Sequence, residues 1–314
     1  MKSVYIHCGV HRTGSTALQY LLLENRQNLA SQGVVYPGEG VHHQALAWAL
    51  YRGKVGVQDV FDLIEGADDG AAVVLSGEDF AIHRNLGWLT KLAKRYPVEA
   101  VFYLRRQDHW LMSWYNQHIK WPFDKVKSKM DPDTFLAHYR DFFWIDYDWL
   151  LDHWAKVLGE DNIRVRVVEP GQVEHVQQDF AELIGFDLQA LAAGRARHND
   201  SLPVHMLELA RHLGLYEMPA KQRVATIAAL NEGLGHIDPG AKTLYSPDQR
   251  RWLLEQFEAS NREVAGRWFD RRELFHEAWP DRDARYYRMP ELTQADLLDE
   301  WVQPVMRSLA KRVR

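Results

Sequence analysis

Residues 5–19 read YIHCGVHRTGSTALQ, a short apolar strand, a glycine-containing loop and the start of a leucine-rich helix. This order decides the fold. A strand that runs through a tight loop into a helix aims the helix N-terminus and several backbone N–H groups at one point. Such a point favours an anion, above all a phosphate. Arg12 supplies a cation inside the loop, and Ser15 and Thr16 supply hydroxyls at the helix start.

Gly9 and Gly14 have the spacing of the nucleotide-binding pattern G-x-x-x-x-G-K-[ST], and Thr16 stands at its hydroxyl position. The lysine of that pattern is replaced by Ser15. A kinase or ATPase needs this cation on its β/γ-phosphates. Here the nearest cation is Arg12, on the other side of Gly14, so the loop suits a nucleotide with a different charge layout.

A second segment repeats the theme. Residues 101–105, VFYLR, read as a buried strand ending in Arg105, and a helical stretch follows with Ser113, Trp114 and Tyr115. Together, Arg12-Thr13-Gly14-Ser15-Thr16 and the Arg105…Ser113 pair resemble the two phosphate motifs of sulfotransferases that use 3′-phosphoadenosine-5′-phosphosulfate (PAPS). The first resembles the family's 5′-phosphosulfate loop. The second resembles its 3′-phosphate motif, an arginine at a strand end and a serine eight residues later. The resemblance covers roughly the first 185 residues. It implies that Arg12, Thr13, Gly14, Ser15, Thr16 and Ala17 surround the 5′-phosphate and that Arg105 and Ser113 hold the 3′-phosphate. Arg12 takes the place of the lysine most common in the family and acts as an electrostatic clamp, since a guanidinium does not readily give up a proton.

Sulfuryl transfer to a hydroxyl needs a general base. Glu78, in residues 74–80, VLSGEDF, follows directly on a predicted buried strand. The Ser76-Gly77-Glu78 segment resembles the glycan-type members, whose base is a glutamate, so the resemblance implies a carbohydrate or glycolipid hydroxyl as acceptor. A cap, an ion pair or acceptor binding are the other roles open to Glu78. His11, His42 and His43 are rival bases.

The rest of the first half alternates strands and helices. Strands are expected at residues 3–7, 34–36, 72–75, 100–104 and 163–168, and helices at 15–31, 86–96 and 147–158. Short β-branched runs of this kind suit a parallel sheet covered on both faces. The fold class is therefore α/β, a parallel sheet flanked by helices, with ligands at the carboxyl ends of the strands. From about residue 173 the signals are helical: 173–183, 202–213, 219–230, 247–268 and 293–311. The expected division is a PAPS-binding core over residues 1–185 and a helical extension or cap over residues 186–314.

The chain has 314 residues with a formal net charge of −5, which argues against a general nucleic-acid binder. Cys8 is its only cysteine, so no intrachain disulfide can form. No apolar run reaches membrane-spanning length. The first strand begins near Ser3, which leaves no room for a leader and points to a cytoplasmic protein of bacterial type. No HExxH or paired CxxC motif is present, so no metal is expected. Aromatic residues Trp110, Trp114, Tyr115, Trp121, Phe123, Phe142, Phe143, Trp144, Trp149 and Trp154 crowd one stretch with Lys120, Lys125, Lys127 and Lys129. They suit either an acceptor cleft or a helical core. Arg197–Ser201 suits a cofactor-facing turn or a helix N-cap. Two rival functions stand beside sulfuryl transfer: a P-loop kinase of small substrates, which would require ATP and magnesium, and a non-catalytic nucleotide-binding protein.

Overall fold

The computed structural model describes residues 1–68, 71–192, 201–288 and 290–312. Five strands, β1 (Ser3–His7), β2 (Val34–Val35), β3 (Ala72–Ser76), β4 (Val98–Leu104) and β5 (Ile163–Val167), form one all-parallel sheet in the order β2-β3-β1-β4-β5. This is the expected α/β architecture. The register pairs His7 with Ser76 of β3 and with Val101 of β4. Strand order reverses at β1, and in open α/β sheets ligands bind at the carboxyl ends of the strands beside such a reversal, here β1, β3 and β4.

The chain forms two compact units. The first comprises residues 1–106, 142–199 and 257–278; the second comprises 107–141, 200–256 and 279–314. The first holds the whole sheet together with α1 (Ser15–Glu24), α2 (Arg26–Ser31), α3 (Gln44–Tyr51), α4 (Val57–Glu65) and α5 (Gly87–Ala93). The second begins with α6 (Gln107–Lys120) and α7 (Pro132–Ala137), and the chain then returns to the sheet unit through α8 (Tyr147–Leu158) and α9 (Val176–Ile184).

Both faces of the sheet are covered. On one, Val74, Val101 and Tyr103 pack with Leu18, Leu21 and Leu22 of α1 and with Val176 and Phe180 of α9. On the other, Phe102 meets the edge of Trp154 from α8 at 5.4 Å, and Trp154 meets Trp88 of α5 at 6.4 Å. Leu18 and Leu22 are fully buried, and each such side chain contributes about 1.5–3 kcal/mol of burial. The single helix expected over residues 15–31 is broken at Asn25. Its buried side chain bonds the Leu21 carbonyl and both backbone groups of Ala192, which ties the helix to a distant segment rather than letting it continue.

The remaining long elements are helices: α10 (Val204–His212), α11 (Ala220–Leu234), α12 (Pro247–Phe269) and α13 (Gln294–Asp296), which continues through a π-helical stretch at Leu297–Val302 into α14 (Gln303–Arg312). No described residue beyond 185 lies in a strand. Gly233 of α11 lets α14 approach closely, since a Cβ there would lie 2.9 Å from the backbone of Pro304 and Val305. No described helix is long and apolar enough to cross a membrane.

Candidate active site

The loop after β1 first continues along β4. Cys8 N–H donates to the Val101 carbonyl at 2.9 Å and Val10 N–H to the Tyr103 carbonyl at 3.1 Å. The chain then turns back. Arg12 adopts φ 72°, a left-handed conformation uncommon for a residue with a side chain. Thr13 Oγ1 donates to the Val10 carbonyl at 2.7 Å and closes the turn. Gly14, at φ 89°, caps α1 without any side-chain hydrogen bond, and no acidic residue stands in the first turn. The first N–H groups of the helix are therefore left for an external acceptor. Ala17 N–H already donates to the Gly14 carbonyl at 3.1 Å.

Glu78 comes to this loop from the end of β3. A Cβ placed on Gly9 would lie 2.9 Å from Ser15 Oγ, 3.3 Å from Glu78 Cγ and 3.5 Å from Thr13 Oγ1. Gly9, at φ 51°, thus makes room for three polar side chains that meet over the loop. Ser15 is 2% exposed and its Oγ has no hydrogen-bond partner. A buried hydroxyl left in that state costs about 1–3 kcal/mol, which an oxygen-rich ligand would relieve.

Arg105 follows β4 directly. The hydroxyl of Tyr147 donates to its carbonyl at 2.5 Å, fixing the strand end. Its guanidinium donates from Nη1 to the Arg12 carbonyl at 2.8 Å, which supports the strained turn of the loop. Burial pulls the Arg12 guanidinium down to about 10, and the charge of Arg105 adds to this while Glu78 opposes it. Two cations crowded at a partly buried loop create a positive field suited to an anion.

The adjacent Arg106 has a different role. It is buried and donates to the carbonyls of Glu277 and Ala278 at 3.0 and 2.9 Å, and it pairs with the Glu277 carboxylate at 3.1 Å. Ser113 lies in the second turn of α6, buried within the second unit.

The three histidine rivals also separate. His43 accepts the Ser76 N–H on Nδ1 at 3.0 Å and donates from Nε2 to the Pro37 carbonyl at 2.9 Å. Both ring nitrogens hold backbone, and burial lowers its pKa to about 4. His11 pairs with the buried Asp79 at 3.2 Å. Burial works to raise the Asp79 carboxyl, but the His11 hydrogen bond and charge, with further hydrogen bonds, hold it below its ordinary value. His42 is exposed.

The aromatic stretch resolves toward core. Trp110, Trp114, Tyr115, Phe142 and Trp154 are buried, and the rings of Trp110 and Trp114 stack at 5.4 Å. Lys127 pairs with Asp124 and Asp141, and Lys129 lies over the Tyr216 ring. Phe123 remains exposed. Arg197–Asp200 of the suggested cofactor-facing turn lies outside the described residues. Among the described residues, no three histidine, cysteine or carboxylate side chains gather as a metal site.

The parts played by Gln19 and His7, and the contacts of Ser76, escaped the reading of the sequence. Gln19 of α1 donates to Glu78 Oε2 and to Ser76 Oγ, both at 3.1 Å, and Ser76 Oγ lies 2.7 Å from His7 Nδ1. The available signal was spacing: Gln19 stands four residues after Ser15, on the same helix face.

These residues fit a phosphate-bearing nucleotide such as PAPS at the loop: an uncapped helix start, a buried hydroxyl lacking a partner, and two crowded arginines. No family model matches the chain. A curated protein of Archaeoglobus fulgidus, described as an uncharacterized protein, is 25% identical over 240 residues, covering 74% of this chain. The chain spans 62% of that relative's length. The crystal structure of a sulfotransferase from Alicyclobacillus acidocaldarius is 13% identical, with a TM-score of 0.43 over 71% of this chain and 99% of its own.

Proposed function

We propose that the protein transfers a sulfuryl group from PAPS to a hydroxyl, with a carbohydrate or glycolipid as acceptor. The observation that carries this reading is the meeting of Ser15 Oγ, Thr13 Oγ1 and Glu78 around Gly9, with the Arg12 guanidinium in the field of Glu78, in a loop whose cation stands at position 12 and not at position 15. Thr13, Gly14, Ser15 and Thr16 would hold the 5′-phosphate, with Ala17 beside them in the first turn. Arg105 would hold the 3′-phosphate through charge-assisted hydrogen bonds. Ser113 joins it on the strength of the sequence motif.

PAPS supplies a sulfuryl group on a phosphate leaving group; the acceptor oxygen–sulfur bond forms as the sulfur–phosphate oxygen bond breaks. Glu78 takes the acceptor proton on its carboxylate. Arg12 and the helix start stabilise the charge that grows on the departing phosphate. Glu78 is favoured over the histidines because His43 is committed to backbone through both nitrogens and His11 is committed to Asp79.

The test is release of 3′,5′-adenosine bisphosphate from PAPS with octyl β-glucoside as acceptor, in the presence of EDTA. Sulfated glucoside formed without magnesium supports the proposal. A requirement for ATP and magnesium would instead favour a kinase.

A further inference from the structure

Glu78 is held from two sides, and only one belongs to the phosphate loop. Its stem packs over Gly9, where a Cβ would come within 3.3 Å of Glu78 Cγ. Its carboxylate is held by Gln19, which is 2% exposed and donates from Nε2 to Oε2 at 3.1 Å. The same Nε2 donates to Ser76 Oγ at 3.1 Å, so both amide hydrogens have acceptors. Ser76 Oγ, accepting from Gln19, also shares a hydrogen bond with His7 Nδ1 at 2.7 Å. His7 leaves its Nε2 buried without a hydrogen-bond partner. It is fully buried between the edges of Tyr103 and Phe180, and burial holds its pKa down to about 4 although Glu78 pulls it upward.

Gln19 donates to both Ser76 and Glu78, so its N–H, not its oxygen, faces the carboxylate. We propose that Gln19 is a positioning residue that orients the Glu78 carboxylate, with Ser76 holding the other hydrogen of its amide. The role rests on the reading of Glu78 as the base. Gln19 engages Oε2 and so presents Oε1 to the acceptor hydroxyl. An amide does not readily carry a proton, so the chain transmits orientation only, and the acceptor's proton stays on Glu78 until product leaves.

A merely structural glutamine and a positioning one separate in a double-mutant cycle. The variants are Gln19→Leu, Glu78→Ala and the double variant, with Gln19→Met as a second donor-free replacement should the leucine variant fail to fold. Turnover is read as sulfation of octyl β-glucoside by the full chain, and nucleotide affinity by calorimetry with 3′,5′-adenosine bisphosphate. Removing a hydrogen bond to a charged group should lower kcat about tenfold or more while nucleotide affinity stays within about twofold. In the Glu78→Ala background the same replacement should cost nothing further. An equal loss in both backgrounds, or an unchanged kcat, overturns the role of Gln19 while leaving the function standing. No sulfation by the wild-type protein removes the reading of Glu78 and the role of Gln19 together.

Discussion

The carboxyl edge of β1, β3 and β4 and the aromatic helix α6 are both dense in side chains that suggest chemistry, and folding treats them differently. At α6 the aromatic rings are taken up in packing. Trp110 and Trp114 stack in a buried core, and Asp108 of the same helix is bound by Arg250 at 2.9 and 2.6 Å. At the strand edge something is left over. Ser15 Oγ is buried without a partner, the start of α1 has no side-chain cap, and Arg12 and Arg105 crowd each other. What sets the edge apart is the combination of an orphaned hydroxyl, an uncapped helix start and two cations at one loop.

The largest expected effect lies at the edge. Glu78→Gln should lower turnover by roughly 10²–10⁴ while changing affinity for 3′,5′-adenosine bisphosphate little, because a base acts on the proton and not on the phosphates. Near-normal turnover would move the role to His11 or His42 and weaken the contrast between the regions. Trp110→Ala should do the opposite. It should cost about 3–5 kcal/mol of stability in urea unfolding and leave the affinity of the folded protein unchanged.

Gly9→Ala strains a backbone at φ 51° and drives a methyl to within 2.9 Å of Ser15 Oγ. It should cost about 1–2 kcal/mol of stability and weaken nucleotide binding in calorimetry.

The smallest effect is a pH dependence of stability. His7 and His43 both have folded-state values near 4, below their ordinary 6.5. The unfolded chain then binds more protons between these values, so stability is full above about pH 6.5 and falls as the pH drops toward 4. His43→Gln should flatten that slope in urea midpoints measured across the window.

Much of this arrangement was legible in the sequence. Short β-branched runs located all five strands, and the spacing of Gly9, Gly14, Arg12 and Thr16 located the loop. Tyr147–Leu158 reads as a helix from its own pattern and forms over those residues. What stayed hidden depends on long-range contacts. Asn25 breaks a helix of favourable composition because Ala192, far along the chain, accepts and donates to it. Helices α3 and α4 went unread although Gly53 and Gly66 stand just past them, as Gly159 does past α8. Arg105 and Arg106 are adjacent and chemically identical, yet one supports the loop and the other clamps Glu277 and Ala278. Only the direction of the backbone at the end of β4 separates them. The Gln19–Ser76–His7 chain draws on three segments, and the spacing of Gln19 from Ser15 announces only one of them.

The central claim is that the strand edge is built for a nucleotide carrying phosphate at both its 5′ and 3′ positions. Calorimetry in EDTA with 3′,5′-adenosine bisphosphate and with AMP tests it most directly. Loss of the 3′-phosphate contact to Arg105 should cost about 1.5–3 kcal/mol, so the bisphosphate should bind at least about tenfold more tightly. Equal affinity for the two ligands, or tight binding only of ATP with magnesium, would contradict it.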